Sequence, residues 1–110
     1  MSDREAPIPP ASFLFLVLSL RAQAEMQLGL MHFGEGERPQ PDLLLSRHTI
    51  DLMAVLQEKT RGNLTLEEQR MLENSLTELR FRFVQASEEA AKQPAPEAST
   101  GNAQEAAPQA

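Results

Sequence analysis

The residues best suited to chemistry are two histidines, His32 and His48, in a chain that has no cysteine. His48 and Asp51 lie three residues apart in a segment with a helical pattern, so their side chains share one face, as half of a metal or acid–base site would. A metal site needs three or four protein ligands, and neither a second histidine nor a Glu-x-x-His sequence accompanies this pair. We interpret both histidines as surface or boundary residues and predict no bound metal.

A second candidate site is the glycine-containing turn at Gly62, which two cations, Lys59 and Arg61, flank on one side. Backbone N–H groups at the start of a helix bind anions, so the turn is a candidate site for a small anionic ligand. However, Glu67 and Glu68 already place negative charge there, and the Lys-Ser/Thr order of a phosphate-binding loop is missing. We favour a tight turn with a structural role.

Nucleophilic catalysis has no visible framework in the sequence. Serine, histidine and aspartate are all present, but no strand–turn–helix elbow exposes a nucleophile. The methionines are typical of adaptable packing rather than of a cofactor site. We therefore predict that the protein is not an enzyme, that it has no catalytic residue and that it binds no cofactor.

The turn itself is strongly specified. Thr65 and Glu68 form a capping box, in which each side chain accepts a hydrogen bond from the backbone N–H of the other residue. Gly62 is suited to the left-handed conformation that ends the preceding helix. Only Asn63 and Leu64 separate Gly62 from the cap, and a connection this short makes its two helices antiparallel neighbours.

These residues require helices to position them, and the hydrophobic periodicity predicts an all-α fold, a small three-helix bundle. Ser12 and Asp42 are suitable N-caps for the first two helices, and either Gly29 or Gly34 can end the first. Proline and polar residues dominate both ends of the chain, which we predict to be disordered. The predicted helices span about 12–31, 43–60 and 66–86, within one domain (12–86) between a leader (1–11) and a tail (87–110) rich in Ala, Glu, Pro and Gln.

The first helix has two apolar stripes on opposite sides, so it must be covered on two sides. Its first stripe is Phe13, Val17, Leu20, Ala24, Leu28 and Met31. Its second stripe is Phe15, Leu18, Ala22, Met26, Gly29 and Phe33. The most apolar face of the second helix is Leu45, Thr49, Leu52, Met53 and Leu56. The third helix has one regular stripe, Leu72, Leu76, Leu79 and Phe83.

An ordered body of about 75 residues without disulfides supplies a core worth only about 3–5 kcal/mol, and oligomerisation is one remedy. We hypothesise that the second stripe of the first helix packs on another copy of the chain, with a dimer as the expected state. The protein is then a non-catalytic self-associating or protein-interaction module. The alternative is an accessory subunit that binds a small anionic ligand or an enzyme partner through Lys59, Arg61 or His48. The proposed interface is Phe15, Leu18, Ala22, Met26 and Gly29.

Charge and hydropathy exclude other classes. The net charge is −6, with most of it near the ends of the chain, which does not suit a nucleic-acid partner. Arg21 and Glu25 interrupt the apolar segment too early for a membrane span. The segment also has features of a signal peptide, but the residues before it are acidic overall and both stripes continue through the apparent cleavage site. Without cysteine, the chain is expected in the cytoplasm.

The run from Glu58 to Glu68, EKTRGNLTLEE, resembles a motif of a small bacterial family known as domain of unknown function 1844. The resemblance covers about residues 12–84 and leaves both ends outside. It implies a short helical protein, bacterial and cytoplasmic, and it supplies no catalytic residue because the family's activity is uncharacterised. Further matching positions are Phe13, Ser19-Leu20, Leu28-Gly29, Ile50-Asp51-Leu52 and Leu79-Arg80.

Overall fold

The computed structural model describes residues 7–31 and 40–92, and these form three α-helices. The helices are α1 (Phe13–Gln27), α2 (Leu43–Lys59) and α3 (Leu66–Lys92). Each helix packs against both of the others, so the predicted all-α three-helix bundle is confirmed.

Several predictions fall on parts of the chain outside the described residues. These are the disorder of most of the leader and of the tail beyond Lys92, the position of His32 and the place of Phe33 in the second stripe. They stay predictions. Within residues 7–31 and 40–92, no helix has the length and the hydropathy needed to cross a bilayer.

The first two helices begin at the residues that the sequence indicates. The Ser12 hydroxyl accepts a hydrogen bond of 3.0 Å from the backbone N–H of Phe15. The Asp42 carboxylate accepts one of 3.0 Å from the backbone N–H of Leu45. Each bond satisfies one of the donors that a helix start leaves without a partner within the helix, and both predicted N-caps are confirmed.

α1 ends at Gln27, four residues before the predicted end at 31, and Gly29 explains the difference. Gly29 has a φ of 76°, in the left-handed region that favours glycine. Its N–H donates to the Met26 carbonyl (3.0 Å), while the N–H of Leu30 donates to the Glu25 carbonyl (2.9 Å). These two bonds form a Schellman motif, which satisfies the last carbonyls and turns the chain away from the helix axis.

α3 continues to Lys92, six residues beyond the predicted end at 86. The extension reads Ser-Glu-Glu-Ala-Ala-Lys, and alanine, glutamate and lysine have high intrinsic helix propensity. The prediction placed the boundary where bulky apolar residues stop. That criterion marks the end of packing rather than the end of the helix.

The core combines the first stripe of α1 with the leucine stripe of α3. The predicted inward sides of both helices are confirmed, because Val17, Ala24 and Leu28 are buried against Leu72, Leu76 and Leu79. α2 contributes Ile50 and Met53, and the other predicted stripe members Phe13, Leu20 and Phe83 are partly buried beside them.

α2 does not turn its most apolar face fully toward the core, so the expected packing of this face is wrong in part. Thr49 and Met53 are buried as expected, but Leu45 and Leu52 are about half exposed. Ser46 and Ile50 take the inward positions instead.

The reason for the rotation lies in the contact between α1 and α2. Gln23 Nε2 donates to Thr49 Oγ1 (3.4 Å), and Thr49 Oγ1 donates to Gln27 Oε1 (2.7 Å). The backbone N–H of Asp42 also donates to the Gln27 carbonyl (2.6 Å). These bonds place a polar residue in the seam between the two helices, and they leave its apolar neighbours on the outer edge.

Candidate interaction surface and turn cavity

The second stripe of α1 lies on the surface of the bundle. Phe15, Leu18 and Met26 are 41%, 45% and 55% exposed, and Ala22 between them is partly buried. Single exposed apolar residues are normal in a monomer, whereas a row of them along one helix is a feature of interaction surfaces. The structure thus brings together four of the five residues predicted for the interface.

Gly29 is the exception, and its place in the predicted interface is not supported by the fold. It lies beyond the end of α1, in the left-handed conformation, and it is buried. Gly29 therefore ends the helix and is not part of the exposed stripe. Of the two small residues in the predicted interface, Ala22 alone lies on the exposed stripe, where it can permit close approach of a second helix.

The outer side of α1 has no free charge. Arg21 and Glu25, the ionisable side chains of α1, pair with each other at 3.1 Å and are only 33% and 25% exposed. Their i,i+4 spacing lets each neutralise the other on one flank of the helix. The stripe from Phe15 to Met26 is consequently bordered by an internal ion pair on one flank and by Ser19 and Gln23 on the other.

Further exposed apolar residues lie beyond Ser19 and Gln23, along the contact between α1 and α2, and the sequence analysis missed them. Leu16 lies two turns before Gln23 on the edge of α1 that contacts Thr49. Leu45 and Leu52 lie about one turn before and after Thr49 on the matching edge of α2, and all three leucines are about half exposed. We call the combined surface the α1–α2 face: Phe15, Leu16, Leu18, Ala22, Met26, Leu45 and Leu52.

This face is large for a chain of this size. From the exposed fractions of its residues it presents on the order of 500 Å² of apolar surface, near the upper end of what the largest patch on a monomer usually shows. The second half of the face could have been found from the sequence. Leu45 and Leu52 have helical spacing, and their polar neighbour Thr49 could have been recognised as a partner for the two glutamines of the first helix.

The α2–α3 turn has the geometry that its sequence indicates. The backbone N–H of Thr65 donates to the Glu68 carboxylate (2.9 Å), and the N–H of Glu68 donates to the Thr65 hydroxyl (3.1 Å). Gly62 has a φ of 82°, two residues after the C-cap Thr60, and the Asn63 N–H closes the turn on the Thr60 carbonyl (2.9 Å). The predicted capping box and left-handed glycine are present.

A cavity of about 220 Å³ opens between this turn and the two helices that it joins. Leu64 and Leu72 supply its apolar lining, while Arg61, Glu73 and two glutamines supply its polar lining. Of these residues the sequence analysis singled out only Arg61 for a ligand. The i,i+4 spacing of Gln69 and Glu73 was a signal that it did not use.

The three residues suggested for an anion site do not come together. Arg61 lines the cavity and Lys59 does not. His48 lies near the other end of α2, in a shallow groove beside Asp42 and Leu44. It is eleven residues from Lys59, or roughly 17 Å along the helix axis. Across residues 7–31 and 40–92, no three side chains of the usual metal-binding types are close enough to hold an ion.

Comparison with known proteins gives one match. Residues 10–85 match the family described as domain of unknown function (DUF1844), which is more than half of the chain and includes all the residues of the face and the turn. The family resemblance predicted over about residues 12–84 is confirmed. No curated protein and no solved structure is significantly similar to the chain.

Proposed function

The chain belongs to the DUF1844 family, and we propose that it is a non-catalytic helical module that self-associates through its α1–α2 face. One observation carries the proposal: half-exposed apolar side chains follow the outer side of α1 and the adjoining edge of α2 of a small bundle, and the ionisable side chains of α1 pair with each other. A core of this size is worth only about 3–5 kcal/mol, so covering a surface of this kind adds a substantial fraction of the total stability.

A second copy of the chain is the occupant that the surface favours. A stable interface buries about 800 Å² on each partner, and the apolar part of the face with its polar border approaches that area. A two-fold interface brings each residue near its own symmetry mate, so like charges in it would repel. The α1 part of the face avoids that cost because Arg21 and Glu25 are already paired with each other.

Ala22 determines how closely two copies of α1 can approach. The distance between packed helix axes depends on the side chains at the contact. Ala22 is the smallest residue in the stripe and lies between Leu18 and Met26. We expect the two α1 helices to cross near Ala22, with the larger side chains packing on either side.

The test compares two substitutions of the same kind on different faces. Leu18→Glu places a charge in the α1–α2 face, whereas Phe81→Glu places one on the outer side of α3, where Phe81 is 58% exposed. Sedimentation equilibrium should give twice the chain mass of 12.2 kDa for the native protein and for Phe81→Glu. Leu18→Glu should give a folded single chain.

A native protein that stays a single chain at high concentration would overturn the proposal. So would an equal effect of the two substitutions on the measured mass. Circular dichroism of both variants shows whether either has lost its helices, which separates loss of association from loss of folding.

The other candidate function is an accessory subunit that binds a small ligand, and the cavity beside Arg61 is the observation that favours it. A thermal shift with small metabolites that disappears in Arg61→Ala, in a native protein that stays a single chain, would support this candidate over the first. We also place the protein in the bacterial cytoplasm, a proposal supported by the family resemblance and by the absence of cysteine.

A further inference from the structure

The cavity at the α2–α3 turn is lined by two opposite charges that do not pair with each other. Arg61 and Glu73 both line it, yet the ion pairs found within 4.0 Å in the described part of the chain join other residues. The Glu73 carboxylate instead accepts a hydrogen bond of 3.1 Å from Gln69 Nε2. Each charge therefore keeps capacity for a ligand that reaches both.

The balance of charge selects the type of ligand. A simple anion near Arg61 would also lie near Glu73, and a simple cation near Glu73 would also lie near Arg61. In each case the attraction is offset by repulsion over a similar distance. A small molecule with a carboxylate and an ammonium group places one of them against each side chain, and both interactions become favourable.

The helix start nearby does not compete for the carboxylate. The first N–H groups of α3 would ordinarily attract an anion, but Glu67 and Glu68 already place negative charge in this first turn. Arg61 is therefore the favoured partner for a ligand carboxylate. This differs from the anion site considered from the sequence, which depended on the same helix start.

The size and the lining of the cavity further restrict the class of ligand. A volume of about 220 Å³ lies below the range of pockets for drug-sized ligands, so it suits a molecule of about ten heavy atoms or fewer. Leu64, which is partly exposed, offers an apolar surface for a short aliphatic segment, and Leu72 lies fully buried beneath the cavity. The Gln57 side chain adds an amide that can donate or accept a hydrogen bond.

We propose that this cavity binds a small zwitterion of the amino-acid type, with its carboxylate on Arg61, its ammonium group on Glu73 and its carbon chain against Leu64. The site is separate from the α1–α2 face and does not depend on self-association. For a ligand of this size a dissociation constant on the order of 1 mM is expected.

The experiment titrates the full chain, labelled with ¹⁵N, with glycine, β-alanine and 4-aminobutyrate, which differ in the distance between their charges. Acetate and ethylammonium serve as the two halves of the ligand. At least one zwitterion should shift the amide signals of the turn and of the start of α3, and neither half alone should do so at the same concentration. Arg61→Gln and Glu73→Gln should each weaken binding at least tenfold.

Arg80→Gln is the matched control, because Arg80 is exposed on α3 and does not line the cavity; it should leave binding unchanged. Three results would overturn the proposal. The first is no shift of these signals with any zwitterion at tens of millimolar, well above the expected dissociation constant. The second is acetate binding as tightly as the best zwitterion, which would make this an anion site. The third is unchanged binding in Glu73→Gln.

Discussion

α1 and α3 bury the same kind of apolar stripe but leave different residues outside. The outer side of α3 is mostly polar or charged, and its Glu78–Arg82 pair at 2.9 Å is typical of a helix face in contact with water. The outer side of α1 carries phenylalanine, leucine and methionine in one row. One copy of the chain therefore explains most of the composition of α3, where Phe81 and Val84 are exposed exceptions, but it does not explain the outer stripe of α1.

The difference shows that burial in a single chain is an incomplete guide to why a helix is apolar. Where charge lies opposite the core, one chain accounts for the pattern. Where apolar residues lie opposite the core, the pattern points to a second contact. Each of the following predictions tests one side of this comparison, beginning with the largest expected effect.

Truncating a core leucine of α3 should cause the largest loss of stability. Leu76 is 1% exposed, and Leu76→Ala is expected to lower the free energy of unfolding by about 3 kcal/mol because it leaves a cavity in the core. Urea denaturation followed by circular dichroism measures the change. Leu66→Ala is the control on the same helix: Leu66 is 60% exposed, so its loss should change stability by less than about 0.5 kcal/mol. Similar values for the two would mean that α3 does not pack as described.

The outer stripe of α1 should make stability depend on concentration. Association stabilises the folded state by mass action, by about 2–3 kcal/mol at a hundred times the dissociation constant. The melting temperature of the native protein should rise with protein concentration, and that of Leu18→Glu should not. Scanning calorimetry at several concentrations measures this. A melting temperature independent of concentration in both proteins would remove the distinction between α1 and α3.

Removing the hydrogen bonds in the seam between α1 and α2 should have an intermediate effect on stability. Thr49→Val keeps the shape of the side chain but removes both hydrogen bonds to the glutamines of α1. We expect a loss of about 1–2 kcal/mol, because Gln27 Oε1 then loses its partner. Thr77→Val, an exposed position on α3, is the matched control for denaturation and should change little. Equal effects would show that the seam does not orient α2.

The smallest effect on stability is expected from replacing Ser75, a buried residue of α3. The Ser75 hydroxyl is fully buried and has no hydrogen-bond partner among the described residues. Ser75→Ala removes this unsatisfied group and should leave stability unchanged or raise it by up to about 1 kcal/mol. A loss above that value in denaturation would mean that the hydroxyl has a partner, such as an ordered water.

Most of the fold could be predicted because it depends on local rules. The caps at Ser12 and Asp42, the turn around Gly62 and the stripe of α3 are each set by residues close together in the sequence. The face that α2 turns inward could not be found in this way. It depends on the hydrogen bonds of Thr49 with Gln23 and Gln27, which lie more than twenty positions away in the sequence. Choosing the most hydrophobic face of α2 as the buried one therefore gave the wrong rotation.

The residues of the candidate sites also differ in whether local sequence or tertiary packing determines their positions. Phe15, Leu18 and Met26 were found because their spacing alone puts them opposite the core. Leu45 and Leu52 were missed because their exposure follows from the rotation of α2. The presence of Arg61 and Glu73 in the lining of one cavity depends on how closely α2 and α3 pack, which sequence spacing does not determine.

The hydrogen bond from Asp42 to the Gln27 carbonyl has a practical consequence. It joins the end of α1 to the start of α2, so the two ends of the connection between these helices are held close together. Lengthening a connection whose ends already meet costs little, about 0.6 kcal/mol for each doubling. An epitope tag or a fluorescent label inserted into this connection is therefore expected to leave the contact between Gln27 and Asp42 intact.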